Sequence, residues 1–305
     1  MNIINVKNST LKVPEIALGC MRISDMTQND LNKLITTSLD NGINFFDHAD
    51  IYGGGKSEEI FGKTIKELKV KREDIMIQSK AGIRDGFFDF SKEHIINSVD
   101  KILKRLNTDY LDCFLLHRPD TLMEPAEVAD AFDSLEKSGK VKYFGVSNQN
   151  PMQIELLKRY VNQDLLFNQL QLSLKRTGMI DAGLNVNMKV DSSVNHDGYV
   201  LDYCRLNNIT IQAWSPFQYG FFEGVFLNNQ KFPELNSVID RLAEKYSVTN
   251  SAIAVSWILR HPARIQTIIG TTNPKRVEDM SKAADFTLTR EEWYELYRSA
   301  GNVLP

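Results

Sequence analysis

Apolar residues along this chain fall into two alternating patterns. The first has a helical period. Leu31, Leu34, Ile35 and Leu39 follow the i, i+3, i+4 spacing of an amphipathic helix that Gly42 ends. Ser57 is a candidate N-cap for a second helix, with Glu58 and Glu59 in its first turn and Ile60, Phe61, Ile65 and Leu68 on its apolar face. Ser91 caps a third carrying Ile95, Val99, Ile102, Leu103 and Leu106. Pro125 opens a fourth, with Val128, Phe132 and Leu135 inward and Gly139 at its end. Asn150-Pro151 and Asn273-Pro274 repeat the cap-then-proline opening, and Thr289 to Glu292 reads as a capping box.

The second pattern consists of short, continuous apolar runs. They are Ile16–Leu18, Ile43–Phe46, Ile75–Ile77, Leu111–Leu116, Tyr143–Val146, Leu165–Leu170, Ile209–Ala213 and Ile265–Ile269. Unbroken runs of this length suit parallel strands covered on both faces. Strand and helix alternate nearly throughout, no Pro/Ser-rich linker divides the chain, and no strong internal repeat is visible. Eight such strands predict an α/β fold of one domain spanning 1–305, a closed (β/α)₈ TIM barrel. An open doubly wound sheet is the alternative. Two stretches fall outside the regular units: Ser173 to Asn195 after the sixth strand, and the aromatic Phe217 to Phe232 after the seventh. Loops of that length are commonly functional.

Length and composition then narrow the picture. At 305 residues the chain has room for a barrel of about 250. It is 42% hydrophobic and 25% charged, as an ordinary globular protein is. With 36 basic and 39 acidic side chains the formal charge is -3, which argues against bulk-charge binding of nucleic acid and against a polybasic membrane patch. Cys20, Cys113 and Cys204 are widely spaced, which disfavours a disulfide framework or zinc knuckle. Met1 to Val13 lack the marks of a signal peptide, and Ala252 to Leu259 is too short to span a bilayer. The expectation is a cytoplasmic protein; oligomeric state is not readable.

In such a barrel the chemistry lies at the C-terminal ends of the strands. The second predicted strand runs into Asp47-His48-Ala49-Asp50-Ile51-Tyr52, the third ends in Lys80 and the fourth in His117. Each residue alone has a bland reading as a cap, a solvated cation or a packed ring. Together they make a proton-transfer site. A tyrosine serves as a general acid once its ordinary pKa of about 10 is lowered, and a nearby ammonium lowers it. An aspartate holds the ammonium, and a histidine orients a substrate oxygen. A metal-dependent hydrolase using Asp47, His48, Asp50 and His117 is the competing reading, although it wants more ligands; His94, His196 and His261 lie away from strand ends. No metal is expected. Gly53-Gly54-Gly55-Lys56-Ser57 mimics a P-loop, but Asp50 stands where its first glycine belongs, and no G-x-G-x-x-G is present.

The segments Phe46–Gly53 (F-D-H-A-D-I-Y-G), Leu115–His117, Gly145–Asn148 (G-V-S-N), Asn168–Gln169, Trp214–Pro216 and Ile269–Arg276 (I-G-T-T-N-P-K-R), with the lysine ending the third strand, occur in one order. In that order they resemble the aldo-keto reductase superfamily, most of all its bacterial YdhF-like branch, over about residues 10 to 300. The resemblance implies a (β/α)₈ barrel and hydride transfer from NADPH to a small carbonyl substrate. Asp47, Tyr52, Lys80 and His117 would be the catalytic tetrad. Ser147, Asn148 and Gln169 would hold the nicotinamide amide and Trp214 would stack on its ring. The segment from Ser215 through the aromatic loop would lie near the pyrophosphate. Gly270, Thr271, Thr272 and Arg276 would meet the adenine end, where Arg276 suits a 2'-phosphate. Many members carry a lysine where this chain has Gly270. Candidate substrate walls are Met21, Arg22, Ile51, Phe87, Phe88 and Trp214. A non-catalytic NADPH-binding sensor or regulatory subunit is the alternative within the superfamily.

Overall fold

A computed structural model describes all residues 1–305. The chain opens with an antiparallel hairpin, β1 (Ile3–Asn5) and β2 (Lys12–Pro14). The regular units follow: β3 (Ile16–Gly19), α1 (Gln28–Asp40), β4 (Phe45–Asp47), α2 (Lys56–Glu67), β5 (Met76–Ala81) and α3 (Lys92–Leu106). Next come β6 (Leu111–Leu116), α4 (Pro125–Lys137), β7 (Val141–Ser147), α5 (Pro151–Lys158) and β8 (Leu165–Gln171). After β8 the chain forms α6 (Gly178–Leu184) and α7 (Val200–Leu206) before β9 (Thr210–Trp214). A small ladder of β10 (Gln218–Tyr219) and β11 (Gly224–Val225) precedes α8 (Pro233–Tyr246), α9 (Asn250–Leu259), β12 (Gln266–Ile269), α10 (Pro274–Ser281) and α11 (Arg290–Ser299).

The eight predicted strands all form and pair in parallel, closing a barrel in the order β12-β3-β4-β5-β6-β7-β8-β9. Most predicted caps are present. Ser91 accepts from the His94 amide, Asn150 from Gln153 and Thr289 from Glu292, and Pro125, Pro151 and Pro274 open their helices. Ser57 is the exception. The helix starts at Lys56 behind Gly55, and the Ser57 hydroxyl is buried without a partner. The cause is the preceding turn: Gly53, Gly54 and Gly55 have φ of 58°, 64° and 94°, a left-handed run that only glycine makes cheaply. That requirement, not phosphate binding, accounts for the glycine triplet.

Two apolar compartments result. The larger lies between strands and helices. The smaller fills the lower barrel, where Ile4, Val6 and Val13 of the hairpin region pack on Ala17, Phe45, Cys113, Leu115 and Phe167. The hairpin, absent from the sequence reading, thus plugs the barrel floor. Burying each of its aliphatic side chains stabilises by about 1.5–3 kcal/mol.

The long segment after β8 is not structureless. It is tied to the C-terminal region: the Tyr297 hydroxyl of α11 donates to Asp181 of α6 at 2.7 Å and the Lys175 ammonium to the Ala300 carbonyl at 2.6 Å. No helix is long and apolar enough to cross a membrane.

Candidate active site

Above the apolar floor the barrel interior turns polar. Gln78 and Gln212 exchange amide hydrogen bonds of 2.9 and 3.1 Å. Gln212 also donates to Gln266 at 2.8 Å, and Gln266 donates to the Pro14 carbonyl at 2.8 Å. All three glutamines are fully buried. The ladder ends on Asp47, whose Oδ1 accepts from Gln78 at 2.7 Å, Gln169 at 2.9 Å and the Lys80 ammonium at 2.6 Å. Lys80 has no solvent exposure, and it also donates to the His48 carbonyl at 2.8 Å. A buried polar chain of this kind holds its members in place when each is satisfied.

Tyr52 begins the tight turn after β4, and His117 follows β6. Their rings meet edge to face at 6.2 Å, and the Lys80 ammonium lies 5.2 Å from the Tyr52 ring centre. Burial lowers the His117 pKa well below the ordinary value, assisted by the Lys80 and Arg118 charges, so the imidazole is neutral. Its Nδ1 is buried without a partner. An orphaned lone pair is better tolerated than an orphaned N–H, which assigns the ring proton to Nε2. Tyr52 corrects an expectation. Its pKa is raised well above the ordinary 10, first by burial and then by the Asp47 charge; among nearby cations only Arg118 opposes this. The Lys80 charge is spent on Asp47 at 2.6 Å, so it does not bring the phenol of the free protein toward neutrality.

These groups border a cavity of about 930 Å³, and the lining runs from Asp47, Tyr52 and His117 to Arg276 on α10. Ser147, Asn148, Gln169, Trp214, Ser215, Gly270, Thr271 and Thr272 all line it, as do Met21, Arg22 and Ile51. One hydrogen-bonded chain links the amide-bearing group. The Trp214 indole donates to Asn148 Oδ1 at 3.2 Å, Asn148 Nδ2 to the Ser147 hydroxyl at 2.7 Å, and Ser147 to the Gln169 carbonyl at 3.1 Å. Asn148 and Ser215 have φ of 57° and 53°. Phe222 and Asn228, which also line the cavity, share this left-handed backbone with φ of 62° and 56°.

Phe87 and Phe88 do not line the cavity. Phe88 bridges Ile83 in a short ribbon, and Phe87 lies under the Arg84 guanidinium at 5.1 Å. Phe90 is the true anchor of that loop, fully buried, and Ile83 reaches the cavity instead. The aromatic loop after β9 divides its rings. Phe226 is buried, whereas Phe222 stacks on Trp214 at 5.9 Å and 27° and Phe221 meets its edge at 6.4 Å. Arg22 donates to the Gly270 carbonyl at 3.4 Å, which puts its charge beside the Gly270–Thr272 segment.

Three functional candidates, Gln212, Gln266 and Arg118, escaped the sequence reading. Gln212 and Gln266 sit inside otherwise apolar strands, and a glutamine inside a doubly covered strand is itself a signal. Arg118 directly follows His117 and lines the cavity, as does Phe222. His48 and Asp50 do not join Tyr52 in the cavity. The His48 ring packs edge-on against Phe61 at 4.5 Å, and no cluster of three His, Cys, Asp or Glu is spaced to hold a metal.

The family described as Aldo/keto reductase matches residues 15–299. A 6-dehydroglucose reductase of Agrobacterium fabrum is 33% identical over 304 residues, 95% of each chain. The oxidoreductase YdhF of Escherichia coli is 33% identical over 294 residues, 93% of this chain and 92% of its own. Among solved structures, an aldo/keto reductase from Klebsiella pneumoniae in complex with NADP and acetate has a TM-score of 0.77 and 23% identity, covering 97% of this chain and 94% of that one.

Proposed function

This chain belongs to the aldo/keto reductase family, among bacterial relatives that include YdhF, and from that premise we propose that it reduces an aldehyde or ketone to the alcohol using NADPH. The observation that carries the reading is the placement of Tyr52 and His117 on the cavity wall with the buried Lys80–Asp47 pair behind them.

The donor set fits a dinucleotide phosphate. Amide and hydroxyl groups of Ser147, Asn148 and Gln169 gather at the reaction end. At the far end stand Thr271, Thr272, Arg22 and Arg276, with the α10 N-terminus nearby. Anions are favoured at such a terminus and beside guanidinium groups. Arg276 is exposed and makes no ion pair within the chain, so its fork is free for a phosphate. Asp279 on the same wall is neutralised by Lys275 at 3.0 Å.

When bound, the cofactor supplies the hydride. The chain supplies position and the proton. His117 Nε2 donates a hydrogen bond to the carbonyl oxygen and fixes its direction. Tyr52, kept protonated by burial and by Asp47, stands loaded to protonate that oxygen. The Lys80 ammonium lies 5.2 Å from the Tyr52 ring centre and is neutralised by Asp47, so the pair serves to position the phenol rather than to deprotonate it.

Turnover with NADPH absorbance as the readout tests the reading and separates it from a cofactor sensor. Tyr52→Phe is expected to lower kcat by about 10²–10⁴-fold while NADPH still quenches tryptophan fluorescence. A Tyr52→Phe protein with full kcat would remove Tyr52 as the acid.

A further inference from the structure

The cavity holds three guanidinium groups, Arg22, Arg118 and Arg276, and none forms an ion pair within the chain. Its two carboxylates are already neutralised, Asp47 by Lys80 and Asp279 by Lys275. Arg22 and Arg276 lie toward Gly270 and α10. Arg118 is different. It follows His117 at the reaction end, and the ionisable group it feels most is Tyr52.

Arg118 is partly buried, yet it donates no hydrogen bond to any protein group. Its guanidinium carbon lies 5.7 Å from the Trp214 ring centre and 5.8 Å from that of Phe221. Aromatic contacts fix a guanidinium while leaving its edge N–H groups free. A half-desolvated fork with no partner is unfavourable, and an incoming carboxylate relieves it through two parallel bonds. One planar fork matches a carboxylate better than a phosphate dianion, which would call on further cations. The surrounding walls, Met21, Ile51, Ile83, Trp214 and Phe222, are apolar.

We propose that Arg118 is a specificity-determining residue and that the substrate is an aldehyde or ketone with a carboxylate on an apolar body. The carboxylate engages Arg118 while the carbonyl faces Tyr52 and His117. This substrate class rests on the reductase reading above.

The test compares para-formylbenzoate with its methyl ester, two aldehydes of similar shape that differ in charge. In the wild type, kcat/KM for the acid should exceed that for the ester by roughly 10- to 100-fold, the range of a hydrogen-bonded charge. The ratio should fall to near one in Arg118→Met and recover in part in Arg118→Lys, which keeps the charge without the fork. Raising ionic strength should shrink the wild-type ratio. A wild-type ratio near one, or a ratio that Arg118→Met leaves intact, overturns the proposal. If neither aldehyde consumes NADPH, the reductase reading fails by itself. Calorimetric binding of para-formylbenzoate and the ester to wild type and Arg118→Met then decides the subsite: tighter acid binding lost in the variant supports it, and equal binding overturns it.

Discussion

Asp47 and Lys80 face each other at 2.6 Å inside the barrel, with 4% and 0% of their side chains exposed. The pair terminates the polar ladder that fills the upper barrel. Gln78 and Gln169 donate to the same carboxylate oxygen, so removing the ammonium leaves a buried anion with neutral donors only.

Lys80→Met is therefore expected to cost about 3–5 kcal/mol of stability, the usual penalty for orphaning one partner of a buried ion pair. It should also abolish turnover. Urea unfolding at neutral pH measures the first effect and NADPH consumption the second. A variant as stable as the wild type would show that the carboxylate is held by the glutamines alone.

Gly270 offers a gain-of-function prediction. An added Cβ there meets nothing within 4 Å, so a side chain fits without displacing its neighbours. Gly270→Lys should tighten NADPH binding severalfold by restoring the charge that many superfamily members carry at this position. Arg276→Ala should weaken NADPH about 10-fold or more and leave NADH nearly unaffected, as loss of a charged hydrogen bond to a phosphate predicts. Fluorescence titration with both cofactors measures the preference. Equal wild-type affinity for the two would refute the assignment of Arg276.

His48 is among the histidines, with His117 and His261, whose lowered pKa makes the fold sensitive to acid. Burial and the Lys80 charge lower its pKa from 6.5 to about 3, and neither ring nitrogen has a partner. The folded state refuses a proton that the unfolded state accepts below pH 6.5, so stability falls as pH drops from 6.5 toward 3. The slope approaches about 1.4 kcal/mol per pH unit from this group. His48→Leu keeps the backbone carbonyl that Lys80 uses and should flatten the decline. Denaturant midpoints at pH 7 and pH 5 compare the two proteins, and parallel declines would exclude His48 as the cause.

Much of the site is legible because barrel topology places strand ends together. Asp47, Lys80 and His117 end or follow successive apolar runs, and closure brings Asp47, His117 and Tyr52 to one cavity with Lys80 buried behind Asp47. Phe87 and Phe88 misled because a loop's composition does not give its direction; Phe90 takes the buried place and turns its neighbours away. Ser57 misled because a favourable capping residue competes poorly with a left-handed glycine turn one step earlier. The lowered Tyr52 pKa was expected from residue types alone, without the geometry that commits Lys80 to Asp47.

The sequence by itself determined the βα alternation, the count of barrel strands, most helix starts and which polar residues stand at the strand ends. These follow from local periodicity, capping chemistry and chain order. Only the tertiary structure decided what the barrel interior contains and which charges remain free. The glutamine ladder joins Gln78 to Gln212 across 134 residues, and Arg118 is unpaired because closure brings it rings rather than a carboxylate. Burial and pairing depend on which distant residues the barrel brings within a few ångströms, and local spacing carries no record of that.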